Sequence, residues 1–463
     1  MGGSRFATGP DPLYTPRMPP AIYETVKERC RDVLSELFER VGSPIEGPGK
    51  RDHGDIDMLV AVPKGAMASA LAGKDESSDE TADEENSPSN NDEISNAWDI
   101  IAAALGAVRM AKEQDRAANL AVPWPDDLEP EHDDDHGADD PGTTAAKKHI
   151  QVDVRICASV EELDWMLFKH AHGDIWNLLG STIRPYGLTI DETALSIRVP
   201  EIERSNKRLA RVELSRDPAA VLAFLGLRRD GFWDRPFASL DAMFEYAATC
   251  RLFWVRPPAA AAAAADSSPG DPPTTTARLA GLVGSDEGRA GLKANDRKRM
   301  ATRPAFRAWQ DEFIPACRAA GRFAPDPPSL TADEVAARVR TDAFAAFPGV
   351  REVFEARRDE FVAGRQREDI TKAIRTAVPR DLDPWLRGRT VSALKKIVLL
   401  GDDEDGFGVA PDFAVRDDRG FWDVEKVVGW VGDHWEDVLG TQITVAAAAA
   451  AEDKDGRCLA RRE

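Results

Sequence analysis

The sequence predicts an α/β fold class: a small mixed sheet with flanking helices, expected on one side of it, followed by a mostly α-helical C-terminal region. Apolar residues recur at helical spacing between residues 21 and 41. Short strands follow at 55–62 and 149–157, and polar and apolar residues alternate in the second of them. Helical patterns dominate residues 295–400. A chain of 463 residues is long enough for two to three domains with a substantial core.

The predicted segment limits follow changes in composition along the chain. Proline is frequent near the N-terminus, Asp, Glu, Ser and Asn dominate two inserts, and a stretch rich in Pro and Ala separates the two halves. The predicted segments are a flexible tail at 1–20, an α/β domain at 21–204 with disordered acidic inserts near 75–92 and 126–146, a helical extension at 205–256, a linker at 257–290, a mostly helical domain at 291–445 and a low-complexity tail at 446–463.

The formal charge of −21 is concentrated in one tract of the chain. Residues 74–140 contain 21 Asp and Glu against 4 Lys and Arg, a net charge of −17, so the rest of the chain is close to neutral. The overall acidity therefore does not exclude a nucleic-acid partner. Short basic clusters at 207–211 and 297–299 could follow a phosphodiester backbone.

Cysteine usage and hydropathy bear on the cellular environment. The five cysteines are widely spaced and form no CxxC pair, which indicates a reducing compartment and argues against a disulfide framework or a thiolate zinc site. No apolar run approaches the roughly 20 residues of a membrane span, and the N-terminus lacks the apolar region of a secretory signal. We expect a soluble intracellular protein, cytoplasmic or nuclear, with no membrane partner.

Two carboxylates lie two residues apart at the start of the strand at 55–62. Because strand side chains alternate between faces, Asp55 and Asp57 share one face and are about 6.6 Å apart along the strand. Alternation in the strand at 149–157 places Asp153 on its polar face, and this strand is expected to pair with the one before the second insert. Two acids this close repel each other unless a cation lies between them, which favours a divalent metal site.

Gly42-Ser43, an eleven-residue spacer, Asp55-Ile56-Asp57-Met58 and the later Val152-Asp153-Val154 together resemble the motif of the DNA polymerase beta-like nucleotidyltransferase superfamily. The resemblance covers roughly residues 21–200. It implies a nucleotidyltransferase-type sheet and an Mg²⁺-dependent (or Mn²⁺-dependent) enzyme that transfers an NMP from an NTP such as ATP to a hydroxyl group, releasing pyrophosphate. The acceptor that such a family would use is an RNA 3′ end, a small molecule or a protein.

The resemblance also implies roles for individual residues. Asp55, Asp57 and Asp153 would be the catalytic and metal-binding residues, and Gly42 and Ser43 would bind the NTP. General chemistry agrees with these roles, because Mg²⁺ prefers oxygen ligands and two metals can hold both the attacking and the leaving oxygen. Glycine lets a backbone N–H approach a phosphate closely, and the serine hydroxyl adds a donor.

Structural interpretations of the same residues remain open. Asp55 and Asp57 could be solvated at a strand end, and Gly42-Ser43 could be a helix stop followed by a cap. The cations in the segment 50–53 could lie near a triphosphate or in an exposed loop. His170 and His172 would diverge on a helix, so hydrogen-bonded histidines are favoured over a metal site. For function, the alternatives are an inactive nucleotidyltransferase-like protein that binds a nucleotide or a partner, and an interaction protein that displays acidic tracts.

Overall fold

The computed structural model describes residues 3–71, 90–114, 116–128, 147–255, 294–324, 331–401 and 409–459. Most of the two acidic inserts and the whole predicted linker lie outside these ranges, so the expectations for them stay predictions. At the edges of the inserts, residue 90 begins a helix and Asp126–Leu128 form a 3-10 turn. Within the described ranges, no helix combines the length and the apolar character needed to cross a bilayer.

Helices and strands alternate in the chain up to residue 255. The strands are β1 (Phe38–Gly42), β2 (Asp55–Pro63), β3 (Arg109–Gln114), β4 (Ala117–Pro123), β5 (His149–Ile156), β6 (Leu188–Ile190), β7 (Leu195–Arg198) and β8 (Arg211–Ser215). The helices are α1 (Pro20–Leu37), α2 (Gly65–Leu71), α3 (Asn90–Ala104), α4 (Val160–His170), α5 (Ile175–Ile183), α6 (Pro200–Glu203), α7 (Pro218–Phe224) and α8 (Leu240–Ala248).

The described residues after 293 are mainly helical, which confirms the predicted helical C-terminal region. Their helices are α9 (Ala294–Thr302), α10 (Pro304–Ala308), α11 (Ile314–Ala319), α12 (Ala332–Ala346), α13 (Val350–Ala377), α14 (Pro384–Lys395) and α15 (Val424–Leu459). Two π-helical turns, Trp309–Phe313 and Lys396–Leu400, continue α10 and α14. Helix α15 includes part of the segment that composition marked as low complexity.

Five strands form one mixed sheet in the order β1-β2-β5-β4-β3. Strands β2 and β5 are parallel, and the other neighbouring pairs are antiparallel. The pairing of β4 with β5 confirms the pairing predicted across the second acidic insert. Farther along the chain, β6 pairs antiparallel with β7. The prediction of a small mixed sheet with flanking helices is therefore confirmed.

Helix α1 is shorter than its apolar pattern predicts. Pro20 occupies its first turn, and buried side chains then recur every three to four residues, from Tyr23 to Leu34. The apolar pattern continues to Val41, but the helix ends at Leu37 and the chain enters β1 at Phe38. Strand pairing explains the early end, because Phe38 to Gly42 form ladder hydrogen bonds with β2 that a helix would exclude.

Helices cover both faces of the five-stranded sheet, whereas the sequence led us to expect them on one side. Ile56 and Met58 of β2 are fully buried in a core shared with α1, α2 and α3. On the opposite face, Leu59 and Ala61 pack against α4. Strand β2 is apolar on both faces from Met58 to Val60, so two layers of helix are needed to remove it from water.

The N-terminal residues are packed on the sheet, which differs from the flexible tail that their proline content predicted. Phe6 and Met18 are buried, and Met18 exchanges two backbone hydrogen bonds with His53. Gly3 approaches Gly54 so closely that a Cβ atom on Gly3 would lie 1.9 Å from the Gly54 carbonyl oxygen. Prolines exclude helix from this segment, but they leave an extended chain free to pack.

The chain divides into two compact units. The first comprises Met1–Ile197 and Glu213–Pro348, and the second comprises Arg198–Val212 and Gly349–Glu463. In the second unit, α13, α14 and α15 pack around a core of their own, which contains Ile370, Leu394 and Val431. Each unit therefore buries its own apolar side chains.

Candidate active site

The register of the central strands brings two of the predicted acids side by side. Asp57 of β2 lies directly opposite Asp153 of the parallel strand β5. Two residues earlier on β2, Asp55 lies opposite Gln151. Because directly opposed residues on neighbouring strands project to the same side of a sheet, Asp55, Asp57 and Asp153 share one face. We call these three carboxylates the acidic strand face.

Helix α4 packs on the later part of β2, whereas Asp57 on the acidic strand face is open to solvent. Leu59 and Ala61 lie on the same side of β2 as the two acids and contact apolar residues of α4. At the start of the strand, Asp55 is half-buried and Asp57 is exposed. The sequence order, acids first and apolar residues afterwards, thus decides which part of the strand stays open to solvent.

The carboxyl group of Asp57 is held in an environment that favours its protonated form. Surrounding protein atoms remove part of its hydration, and repulsion from Asp55 and Asp153 adds to this effect, so that the pKa of Asp57 is raised to about 7. The nearby imidazole of His170 acts in the opposite direction. Asp57 still contacts solvent along the open face, which screens part of the repulsion. A cation beside Asp57 would relieve the crowding of negative charge.

Asp153 is half-buried, and two amide side chains hold its carboxylate. Asn119 of β4 donates a hydrogen bond to Oδ1 of Asp153 at 2.7 Å, and Gln151 donates to Oδ1 at 2.9 Å and to Oδ2 at 3.2 Å. Burial raises the pKa of Asp153 to about 6, while these hydrogen bonds oppose the rise by stabilising the charged form. Asp153 is thus oriented, and it is ionised in neutral solution.

Gly42 is the last residue of β1, beside the middle of β2, and Ser43 follows it. Gly42 pairs with Leu59 across the ladder, and a Cβ atom on Gly42 would lie 2.9 Å from the side chain of Leu167 in α4. The glycine therefore has a packing role whether or not a phosphate binds. The Ser43 hydroxyl is buried without hydrogen-bond geometry to any described residue, although it lies close to the phenol of Tyr23. Burial and the neighbouring Glu46 raise the pKa of that phenol.

A buried network anchors the loop that follows Ser43. Glu46 accepts short hydrogen bonds from the Tyr23 hydroxyl and from the Lys50 ammonium group. The Tyr23 ring stacks on His53 with 3.7 Å between the ring centroids. Burial by itself would raise the pKa of Glu46, but the bonds from Lys50 and Tyr23 outweigh it and lower that pKa. Lys50 is consequently paired with Glu46 in this structure.

The two histidines that the sequence singled out are hydrogen-bonded, as their spacing predicts. His170 ends α4 and contacts Glu192 at 3.0 Å, and the buried His172 contacts the carbonyl oxygen of Phe232 at 2.7 Å. Across the described part of the chain, no three His, Cys, Asp or Glu side chains converge closely enough to hold a metal by themselves. Any metal held on the acidic strand face would need ligands from its substrate as well.

Sequence reasoning missed four side chains that surround the predicted acids. Gln151 had a signal, because it alternates with Asp153 on the polar face of the same strand. Asn119 could have been found only from the register of β4 against β5, in which it lies opposite Asp153. Tyr23 and Glu46 carry no sequence signal for their contact, because α1 and the loop after β1 meet only in the folded chain.

Comparisons with known proteins add little to this geometry. Neither a protein-family model nor a curated protein sequence matches the chain. Among solved structures, the chain is similar to a crystal structure of Leishmania infantum polymerase beta in a ternary P/T complex, with 14% sequence identity and a TM-score of 0.30, over 48% of this chain and 77% of the polymerase chain. With a TM-score this low, the similarity assigns no role to any residue.

Proposed function

We propose that the first unit is a metal-dependent nucleotidyltransferase that transfers an NMP from an NTP to a hydroxyl acceptor. The observation that carries the proposal is the register in which Asp57 lies beside Asp153 with Asp55 on the same face. Few structural roles would explain three like-charged groups at the start of adjacent strands, since burial and their mutual repulsion raise the pKa of Asp57 and cost stability.

The donor set fits Mg²⁺ or Mn²⁺. Carboxylate oxygens are the ligands that Mg²⁺ prefers, and Mg²⁺ in nucleotide enzymes is commonly held by one or two carboxylates together with substrate phosphates. The lack of a three-ligand cage among the described residues is compatible with that mode of binding. Asp55, Asp57 and Asp153 would hold the metal, which when bound would neutralise phosphate charge as the pyrophosphate leaves.

The remaining roles belong to side chains around the acidic strand face. The acceptor oxygen would form a bond to the α-phosphorus while the bond to the pyrophosphate oxygen breaks. The hydroxyl proton would pass to the carboxylate of Asp153, which Asn119 and Gln151 hold in place. Ser43 has a hydroxyl without a hydrogen-bond partner among the described residues, and together with the backbone at Gly42 it is our candidate contact for the triphosphate.

The proposal is tested by supplying the purified full chain with each labelled NTP, Mg²⁺ or Mn²⁺, and pools of RNA, metabolites and proteins as acceptors. We expect one pool to gain label, and we expect Asp55→Ala and Asp57→Ala to abolish the transfer. Asp52→Ala is the matched control, because Asp52 is exposed and pairs with Arg17 outside the acidic strand face. Undiminished transfer by either of the first two variants would refute the mechanism. Calorimetric binding of Mg-ATP without any product would instead indicate an inactive nucleotide-binding relative.

A further inference from the structure

Five of the six charged side chains that line a cleft in the second unit are basic. Its volume is about 1030 Å³, and it lies between α13, the turn after it and the start of α14. The charged residues that line it are Arg367, Lys372, Arg375, Arg380, Arg387 and Glu368. We call these residues the basic cleft. Five cations against one carboxylate give it a strongly positive potential.

The helical repeat of α13 aligns part of the basic cleft. Its lining residues on α13 recur every three to four positions from Gly364 to Thr376, so they form one face of the helix, while Ile370 and Ile374 on the other face enter the core. Arg367 and Arg375 are eight residues apart, which spans about 12 Å along the helix axis. This spacing suits an extended ligand with several anionic groups better than a single anion.

Most of these cations have no anionic partner in the described part of the protein. No hydrogen bond or ion pair to a carboxylate is formed there by the side chains of Arg367, Lys372, Arg375 or Arg380. Arg387 donates to the backbone carbonyls of Pro379 at 3.1 Å and Arg375 at 2.9 Å, which fixes the turn between the two helices. Elsewhere on this unit exposed cations do find acids, as Lys426 does with Asp423 at 2.8 Å.

An exposed tryptophan lies next to the basic cleft. Trp385 follows the lining residue Pro384, its surface is 55% exposed, and Asp383 holds its backbone N–H in the helix cap. The guanidinium group of Arg389 lies 5.1 Å from the centroid of the Trp385 ring. Exposed aromatic rings beside a track of cations are the combination that binds single-stranded nucleic acids, because bases stack on the rings while the cations contact phosphates.

We propose that the basic cleft binds a single-stranded polynucleotide, with its cations on successive phosphates and Trp385 as a stacking platform for a base. Four of the five cations are arginines, whose planar forks match phosphate oxygens in pairs. An acidic peptide would use the same charges but would gain nothing from the aromatic ring. The proposal concerns binding by the second unit, and it does not depend on whether the first unit transfers nucleotides.

The test uses fluorescence anisotropy of the full chain with labelled single-stranded RNA and DNA of mixed sequence, over a series of salt concentrations and without NTP or metal. We expect Arg367→Gln/Arg380→Gln to weaken binding at least about tenfold and to reduce the salt slope by about 1.4, since each phosphate contact on a single strand contributes roughly 0.7. Arg351→Gln/Lys426→Gln is the matched control. It removes the same charge from paired cations outside the cleft and should change the affinity less than about twofold.

Trp385→Ala distinguishes a polynucleotide from other polyanions. We expect it to weaken single-strand binding about fivefold or more through lost stacking, while binding of heparin or polyglutamate stays unchanged. Circular dichroism and thermal unfolding establish that each variant is folded. Equal losses in the cleft variant and its control, or a Trp385→Ala variant that binds single strands normally, would overturn the proposal. The binding assay contains neither NTP nor metal, so a failure of nucleotidyl transfer leaves this test intact.

Discussion

The acidic strand face and the basic cleft both gather like charges, but they are built in different ways. The acids come from two strands that are separated in sequence by residues 64–148, and strand register sets them side by side. The bases come mainly from one helix and its following turn, where a 3.6-residue repeat aligns them. One cluster is a product of long-range pairing, and the other is mostly a product of local sequence.

The surroundings of each cluster decide how strongly its like charges repel each other. Around the acids, partial loss of hydration and mutual repulsion raise the pKa values of Asp57 and Asp153, so protonation is coupled to folding. Around the bases, exposure to solvent keeps repulsion weak, and the cations remain available to a ligand. We expect the first cluster to respond to pH and divalent metal, and the second to respond to salt.

The largest expected effect separates the two clusters by activity. Asp153→Asn should lower the rate of nucleotidyl transfer by about a thousandfold or more, because a neutral amide neither accepts the acceptor proton nor holds a metal well. Asp52→Asn makes the same isosteric change at an exposed site that pairs with Arg17, and it should leave the rate unchanged. Single-turnover transfer rates check both, and an active Asp153→Asn variant would rule out the proposed proton acceptor.

A smaller effect is expected when the groups that orient Asp153 are changed. Gln151→Ala removes donors to both oxygens of Asp153, so the pKa of Asp153 should rise further above its present value of about 6. The pKa that limits activity on the acidic side of the pH–rate profile should rise by as much as about one unit, with about fivefold less activity at pH 6 and recovery near pH 8.

Asn177→Ala is the control for Gln151→Ala, since Asn177 donates a similar amide hydrogen bond to Asp174 away from the acidic strand face. An equal loss of activity at every pH in the Gln151 variant would mean that the side chain supports structure and does not tune Asp153.

Protonation of Asp57 should make stability depend on pH. Its pKa is about 7 in the folded protein and near the ordinary 3.8 when unfolded, so the folded state binds more protons between these values. The contribution of Asp57 to the free energy of unfolding should therefore fall as pH rises from about 4 to 7. Relative to that of the wild type, the free energy of unfolding of Asp57→Asn should therefore rise by about 1–2 kcal/mol between pH 5 and pH 8. This value is already reduced for solvent screening.

Urea unfolding at the two pH values, without divalent metal, measures this difference. Added Mg²⁺ should then stabilise the wild type at pH 8 and have less effect on Asp57→Asn. A stability advantage of the variant that is largest at pH 5 would contradict the proposed cause.

The smallest effects concern exposed cations in the second unit. Arg367→Gln removes one of several like charges, so it should raise the free energy of unfolding by a few tenths of a kcal/mol at low salt. Lys426→Gln breaks an exposed pair with Asp423, so it should lower that free energy by a similar amount. Both differences should vanish at high salt. Equal signs at low salt would mean that Arg367 has an unrecognised anionic partner.

Local signals in the sequence predicted several elements well. Asp followed by Pro is a sequence signal for the start of a helix, and the Asp217 side chain accepts hydrogen bonds from the first turn of α7. Asp is likewise typical of turns, and Asp191 lies between β6 and β7, where it accepts hydrogen bonds from residues just after it. These features depend on contacts within a few residues, so composition and spacing carry the necessary information.

Local propensity misled where a distant segment competed for the same residues. The apolar residues from 97 to 110 are typical of a single helix, but α3 ends at Ala104 and β3 begins at Arg109. Gly106, with a φ angle of 66°, allows the chain to reverse, and the ladder with β4 provides the hydrogen bonds. The same competition turned the end of the predicted first helix into β1.

The residues of the candidate site can be found without the fold: two acids on one face of a strand, a third on the polar face of another, and a glycine-serine turn before them. Folding was needed to bring Asp57 beside Asp153, to place Asn119 and Gln151 on Asp153, and to pack the N-terminal segment on the sheet. The physical reason is that alternation along a strand is encoded within a few residues, whereas the choice of neighbouring strand and its register depends on burial summed over the whole core.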